Sequence, residues 1–300
     1  MLLTQANINM LNTMVVARWS KGLAVGSEDW KQVAGYISSN GASNSYEWLS
    51  QFPSFKEWVG SRQHKEALLR AYQVINRKFE NTLDIPVTAI EDDNYGQYGD
   101  IAESYGKSVF DLKNELIFTG VANAFSTQCY DGQFFFDTDH PVYPNEDGSG
   151  TPRLVSNMQA GTGEPWMLLC TERAPKAFYL QERIKPQLLA KTNAAASDMV
   201  FEQDKISYGG RWRGECAMGF WQLAYGSKAD ATVQNFEDAY KAMKLVRGDG
   251  ERKLGISPDL LVCGPNNQSA FESILKAAQN QGGGSNINYN KVKLLVSSWM

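Results

Sequence analysis

The chain is poor in the residues that carry most acid–base and metal chemistry: 300 residues hold two His and four Cys. Cys129, Cys170, Cys216 and Cys263 form no CxxC pair and have no His at zinc-site spacing, which argues against a structural zinc. They read as small buried hydrophobes kept reduced, so no disulfide framework is expected. No apolar run approaches the roughly 18 residues a membrane span needs. The N-terminus lacks a secretory leader, its first basic residue being Arg18. The expectation is a soluble protein made in a cytoplasm. A basic surface is missing as well, since 29 Lys and Arg stand against 33 Asp and Glu, for a net charge of −4. A chain so balanced does not grip phosphates strongly. Nucleophile-elbow GxSxG, the P-loop GxxxxGK and dinucleotide-binding GxGxxG are all absent. No group assembles a nucleophile, a base and an oxyanion site, so neither a catalytic residue nor a cofactor is expected.

What the chain does have is apolar and aromatic bulk. Hydrophobic residues make up 43% and aromatics 12%, with eight Trp. That supports a large core in one big domain or two subdomains. Many aromatic anchors with little acid–base chemistry fit a protein that binds surfaces, including copies of itself.

Thr4 is placed to cap a first helix with Ile8, Leu11 and Val15 on one face. Residues 19–45 read as an irregular arm, broken by glycines near 21–26 and 41–45. In the segment 46–60, Trp48, Phe52, Phe55 and Trp58 surround Pro53, which can continue neither a helix nor a ladder. Residues 71–86 follow as one extended strand. Together these predict a long hairpin-like excursion with more aromatic area than a lone hairpin buries. The longest helix is predicted over about 100–126, capped by Asp100, with Ile101, Tyr105, Val109, Leu112 and Leu116 as its apolar stripe. Gly106 and Gly120 weaken it, so tertiary packing must hold it. Downstream, strands are predicted at 177–180 and 188–191 around a polar bend 182–186, and at 220–225. A helix follows from Thr232 or Asn235, with Phe236, Ala239, Tyr240 and Met243 on one face. The strand 260–263, a helix near 269–279 and a final strand 292–296 complete an α/β subdomain.

The segment 129–144, CYDGQFFFDTDHPVYP, is the best candidate for chemistry. Asp137 and Asp139 would share a face of an extended strand beside His140. Two carboxylates and a lone His are few ligands for calcium or zinc, so a rigid turn held by aromatic burial is the favoured reading and no metal is expected. In that turn His140 hydrogen-bonds its neighbours, and its loss is expected to change stability only modestly. Glu91, Asp92 and Asp93 read as a solvated acidic turn before a helix. His64 lies among charges and reads as exposed.

Several long blocks resemble a known family: NSYEWLSQFPSFKEWVG (44–60), FEN…IEDDNYGQY (79–98), CYDGQFFFDTDHPVYPN (129–145), FYLQERIKP (178–186) and GFWQLA (219–224). In order and in length they are similar to the major head subunit of Mu-like phages and prophages. The resemblance implies an α+β, Hong Kong-97-type capsid fold. Its plan would give an N-terminal arm at 1–40, an extended E-loop at 41–85, and a peripheral domain at 86–159 containing the spine helix. An axial domain would occupy 160–300, with strands returning to the peripheral domain. It further implies hexameric and pentameric capsomers in an icosahedral shell around packaged double-stranded DNA. Partners would be scaffold and protease, portal and decoration proteins, with DNA only in non-specific proximity and no membrane. The location would be the virion, after assembly in the bacterial host cytoplasm. Some members of the wider fold crosslink through a Lys and an Asn, but no local motif places such a pair here, so assembly is expected to be non-covalent. Trp48, Phe52, Phe55 and Trp58 are the expected inter-subunit contacts. The arms are expected to order only on assembly. The rival readings are an encapsulating compartment of the same fold and a metal-dependent hydrolase using Asp137, Asp139 and His140.

Overall fold

The first helix, α1 (Gln5–Val25), begins where Thr4 accepts a hydrogen bond from the Asn7 backbone N–H, leaving one fewer unsatisfied donor. The computed structural model describes residues 4–46, 49, 72–92, 96–191, 203–279 and 283–300. Ile8, Leu11, Val15, Trp19 and Gly22 line the buried face of α1 at spacings of three and four. This face lies on the long helix α4 (Gly96–Ala122). The two backbones nearly touch: a methyl built on Gly22 would stand 2.0 Å from the Glu103 carbonyl oxygen, and one on Gly106 would stand 2.1 Å from that of Trp19. Arg18 and Lys21 reinforce the crossing by pairing with Glu103.

The irregular arm expected at 19–45 is therefore not observed. Helix α1 runs through Gly22 to Val25, and a short turn α2 (Trp30–Val33) follows. Strand β1 (Ala34–Ser38) then enters a sheet. Glycine, read as a breaker, is here the residue that lets two helices approach. The same closeness redraws the stripe on α4. Towards α1 its buried line is the small set Gly99, Ala102 and Gly106, while Ile101 is 40% exposed and Leu116, further along, is buried as expected. The larger Val109 and Leu112 flank the line and face Trp19, Phe79 and Trp212. Asp100 is not the cap, because the helix starts four residues earlier. Tertiary packing does hold the two glycines expected to weaken α4, Gly106 against α1 and Gly120 against Cys216.

The first sheet has the order β1-β9-β10-β4, with β4 at Arg77–Pro86, β9 at Phe178–Lys191 and β10 at Lys205–Met218. Strand β1 runs parallel to β9, and the others are antiparallel neighbours. The bend expected at 182–186 is absent, since β9 passes straight through. Its pairing with β10 shifts between Arg211 and Gly214, and this irregularity accommodates Pro186, which cannot donate to a ladder. Strand β10, KISYGGRWRGECAM, has no counterpart among the expected elements, because Gly209, Gly210 and Gly214 mask its alternation.

The expected single strand at 71–86 divides into β3 (Gln73–Ile75) and β4, separated by the buried Asn76. Strand β3 pairs with β2 (Ser43–Ser45), so these two form the base of the excursion. A turn, α3 (Val87–Glu91), connects β4 towards α4.

Beyond α4 a loop leads to β5 (His140–Val142), paired with β6 (Arg153–Val155). The second sheet has the order β15-β14-β8-β11-β7. Its strands are β7 (Met158–Gln159), β8 (Trp166–Leu169), β11 (Ala224–Ser227), β14 (Leu260–Cys263) and β15 (Lys293–Val296). A small pair, β12 (Arg247–Gly248) and β13 (Arg252–Lys253), lies between. The expected strand at 220–225 is half a single helical turn, with β11 starting at Ala224. Helices α5 (Val233–Lys244) and α6 (Gln268–Lys276) bury Phe236 and Phe271. Thr232 caps α5, as its sequence position predicts.

One core joins both sheets, and a second, smaller one gathers Ile8, Leu11, Val15, Leu83, Ile85, Ile90, Ala102, Ile206 and Tyr208 around α1. Gly106→Ala or Gly22→Ala should push α1 off α4 and destabilise the free subunit by about 1–3 kcal/mol, the range of overpacked contacts. Gly96→Ala, which meets nothing within 4 Å, should be neutral. Denaturant midpoints of the three variants check this.

Candidate functional site

Two buried polar knots position the elements of this chain. The first is built on adjacent residues of β9. Strand alternation turns Gln181 and Glu182 to opposite faces of the sheet. Glu182 takes the Lys113 ammonium of α4 at 2.9 Å, the Trp212 indole N–H of β10 at 2.7 Å and the Tyr36 hydroxyl of β1 at 2.9 Å. Burial works to raise the Glu182 carboxyl, but these donors outweigh it and hold it below the ordinary range. Burial and the Glu182 charge push the Tyr36 hydroxyl up to about 12, so it stays a donor. Gln181, fully buried, accepts from the Tyr46 hydroxyl and donates to the Val74 carbonyl and to Asn76 Oδ1. Asn76 in turn donates to Ser39 Oγ and the Gly41 carbonyl. Glu182 thus holds the long helix, and Gln181 holds the base of the excursion.

The second knot lies in the loop after α4. Phe135, Phe136 and Phe178 cluster with ring centroids 4.8–6.5 Å apart, confirming the aromatic anchoring expected of this segment. Asp131 closes a tight turn by accepting from the Gln133 N–H, and Gly132 supplies the left-handed φ of 88°. Asp131 also takes the His140 Nδ1 at 2.7 Å and the Cys129 thiol at 3.1 Å. On the other side of the ring, Nε2 lies 3.2 Å from Asn157 Oδ1. The ring stacks on Trp221 at 4.0 Å and 10°. Burial raises the Asp131 carboxyl, yet the His140 bond and charge and the further donors hold it below its usual value. Burial, with the Asp131 charge, pushes the Cys129 thiol up.

The three residues considered for a metal-dependent hydrolase are not brought together as a ligand set. Asp137 accepts from the Phe134 and Thr138 N–H groups and shares a hydrogen bond with Asp139. His140 turns instead to Asp131 and Asn157. Among the described residues, Cys129, Asp131 and His140 are the group whose metal-capable atoms all lie within 4.8 Å of one another. Each of those atoms already has a hydrogen-bond partner. Sequence reasoning did not assemble this group, since its other partners, Asn157 and Trp221, lie far along the chain and share no periodic signal with it. Lys113 with Glu182 was missed for the same reason. Trp48, Phe52, Phe55, Trp58, His64 and Asp93 lie outside the described residues.

Comparison with known proteins gives a consistent answer. The family of the Mu-like prophage major head subunit gpT matches residues 8–300. The chain is 36% identical over 310 aligned positions to the major capsid protein of Escherichia phage Mu, covering 100% of both. It is similar to the subunit in the procapsid of bacteriophage JBD30, with a TM-score of 0.88 and 39% identity over 99% of this chain and 100% of that one. The subunit in the JBD30 capsid decorated with minor capsid protein trimers gives a TM-score of 0.76 and 30% identity, with 92% of each chain covered.

His140 hydrogen-bonds Asp131 within its own loop, as the sequence predicts, and reaches Asn157 besides. His140→Gln breaks the bond to the buried Asp131 and should destabilise the subunit by about 1–3 kcal/mol, more than the modest change the sequence suggests. Thermal melts of the free subunit check that figure. The two depressed carboxyls, Asp131 and Glu182, also fix a direction with pH. Each contributes stability that is present above the ordinary carboxylate pKa of about 4 and is lost as pH falls through the lower folded value. Wild type should lose stability on acidification below about pH 4. Asp131→Asn should be weaker at pH 7 but less acid-dependent, as melts across pH 7 to 3 would record.

Proposed function

The chain belongs to the family of Mu-like prophage major head subunits, and from that premise we propose how its copies build and hold a particle. It is a major capsid protein with the Hong Kong-97-type fold, a structural protein and not an enzyme. Its relatives are the shell subunits of phage capsids, which sets aside both the hydrolase and the cellular compartment. The full-length match to a procapsid subunit is the observation that carries the reading.

Copies assemble as hexamers and pentamers into an icosahedral shell around packaged double-stranded DNA. Residues 1–40 take the place of the arm, 41–85 that of the E-loop, 86–159 the peripheral domain and 160–300 the axial domain. The pairing of β9 and β10 with β1 and β4 supports the last boundary only with strands returning to the peripheral sheet. Assembly takes place in the host cytoplasm with scaffold, protease and portal proteins, and decoration proteins bind the finished shell. The net charge of −4 suits a wall that contains DNA without gripping it.

Packing of α1 on α4 within the same chain argues that residues 5–38 do not wait for assembly to order. Trp48, Phe52, Phe55 and Trp58 are the contacts the excursion offers a neighbour, since interface energy concentrates in such aromatics. Interfaces of about 1,000 Å² or more with several neighbours hold the lattice without covalent bonds.

Negative-stain microscopy of the purified chain should show capsomers, sheets, tubes or shells, whereas small monodisperse particles at every concentration would overturn the reading. Trp48→Ala with Trp58→Ala should leave a soluble fold and abolish closed shells; normal particles would remove those residues from the interface. Mature particles boiled in denaturant without reductant should run as one band near 33.4 kDa. A ladder of multimers would reveal a crosslinking chemistry.

A further inference from the structure

The hydrogen-bond geometry around His140 determines its protonation state. Asn157 is fully buried, and its amide nitrogen lies 2.9 Å from the Phe135 carbonyl and 3.4 and 3.5 Å from those of Trp221 and Ala224. Its Oδ1 accepts the Asp137 backbone N–H at 2.9 Å. Exchanging the amide ends would set an oxygen against three carbonyls and an NH2 group against an N–H, so the orientation is fixed. His140 Nε2 therefore faces an acceptor and must carry hydrogen to bond it. Nδ1 faces Asp131 Oδ2, while the other Asp131 oxygen receives the Cys129 thiol and the Gln133 N–H. Oδ1 accepts two donors, and the carboxyl, held below its usual value, is ionised, so Oδ2 accepts as well.

We infer that His140 is a buried imidazolium, protonated on both ring nitrogens, and that this proton fastens the loop after α4 to the second sheet. One nitrogen holds Asp131 at the start of the loop, and the other holds Asn157 at the entry to β7. A neutral ring has one N–H and keeps both partners only if Asp131 carries the proton, which its lowered carboxyl opposes. Three further observations agree. The 2.7 Å contact to Asp131 has the length of a charge-assisted bond. The flat stack on Trp221 gives a cation the face of an indole. The titratable groups that act on the ring are acids of its own loop, Asp131, Asp137 and Asp139, with the neutral Cys129 thiol beside them. The segments before β7 and β11 bring the uncharged Asn157 and Trp221 against it. Thiol hydrogen and imidazolium each bond the same carboxylate, which gathers Cys129, Asp131 and His140.

The test uses the two-histidine composition. Nitrogen-15 spectra of the histidine rings in assembled particles, recorded at neutral pH by solid-state NMR, contain only His64 and His140. His64→Gln removes the other histidine and isolates the His140 signals. Both His140 nitrogens should be of the protonated type. In Asp131→Asn, which removes the counter-charge, one of them should become bare. A wild-type ring with one bare nitrogen overturns the inference, whether Asp131 then carries the proton or added Zn2+ binds that nitrogen. An Asp131→Asn ring that keeps both protons overturns the role given to Asp131.

Discussion

One buried carboxylate, Glu182, is the point on which the subunit depends. It is 6% exposed and gathers donors from β1, β10 and α4. Burying a charge without partners is among the most unfavourable events in folding, so its donors must all arrive together. That requirement sets the rotation of α4 above the sheet, because only one face of the helix presents Lys113. It also sets the register of β10, because only one alignment brings Trp212 to the carboxylate. The next residue, Gln181, applies the same logic on the other face, where Tyr46, Val74 and Asn76 fix the base of the excursion.

The second sheet is joined to this frame through residues that bond across segments. Asn157 reaches the loop after α4 and the turn before β11 at once, through Phe135, Trp221 and Ala224. His140 stacks on that turn and pairs with the loop. The phenylalanine cluster adds apolar area around the same joint. A shell subunit has to pass load between its neighbours without letting its own parts slide. Polar knots with fixed partners suit that task better than apolar packing alone, which tolerates small shifts.

Two strands of the second sheet, β14 and β15, and helix α5 were legible in the sequence, while β7 and β8 were not. The strand at 260–263, the cap at Thr232 and the face with Phe236, Ala239 and Met243 carry strong local signals, and the structure places them as expected. The first sheet and α1 were less legible because local signals there oppose the tertiary answer. Gly22 and Gly106 look like breaks but are the contact between two helices. Pro186 and the polar residues before it look like a bend but lie in a strand with a local shift of register. The knots were invisible for another reason. Lys113 and Glu182, or His140 and Asn157, are single polar residues in separate segments, and only the fold brings them together. The family resemblance supplied the architecture that periodicity could not.

The function and the physics meet in the frame that Glu182 closes: what tiles the shell is a body with its spine pinned to its sheet. A cryo-electron microscopy reconstruction of shells assembled from this chain, at side-chain resolution, examines that claim directly. The account predicts that Lys113 Nζ stays within ion-pair reach of Glu182, as at 2.9 Å here, in every symmetry-distinct copy. A closed shell in which any copy separates the two side chains would contradict it.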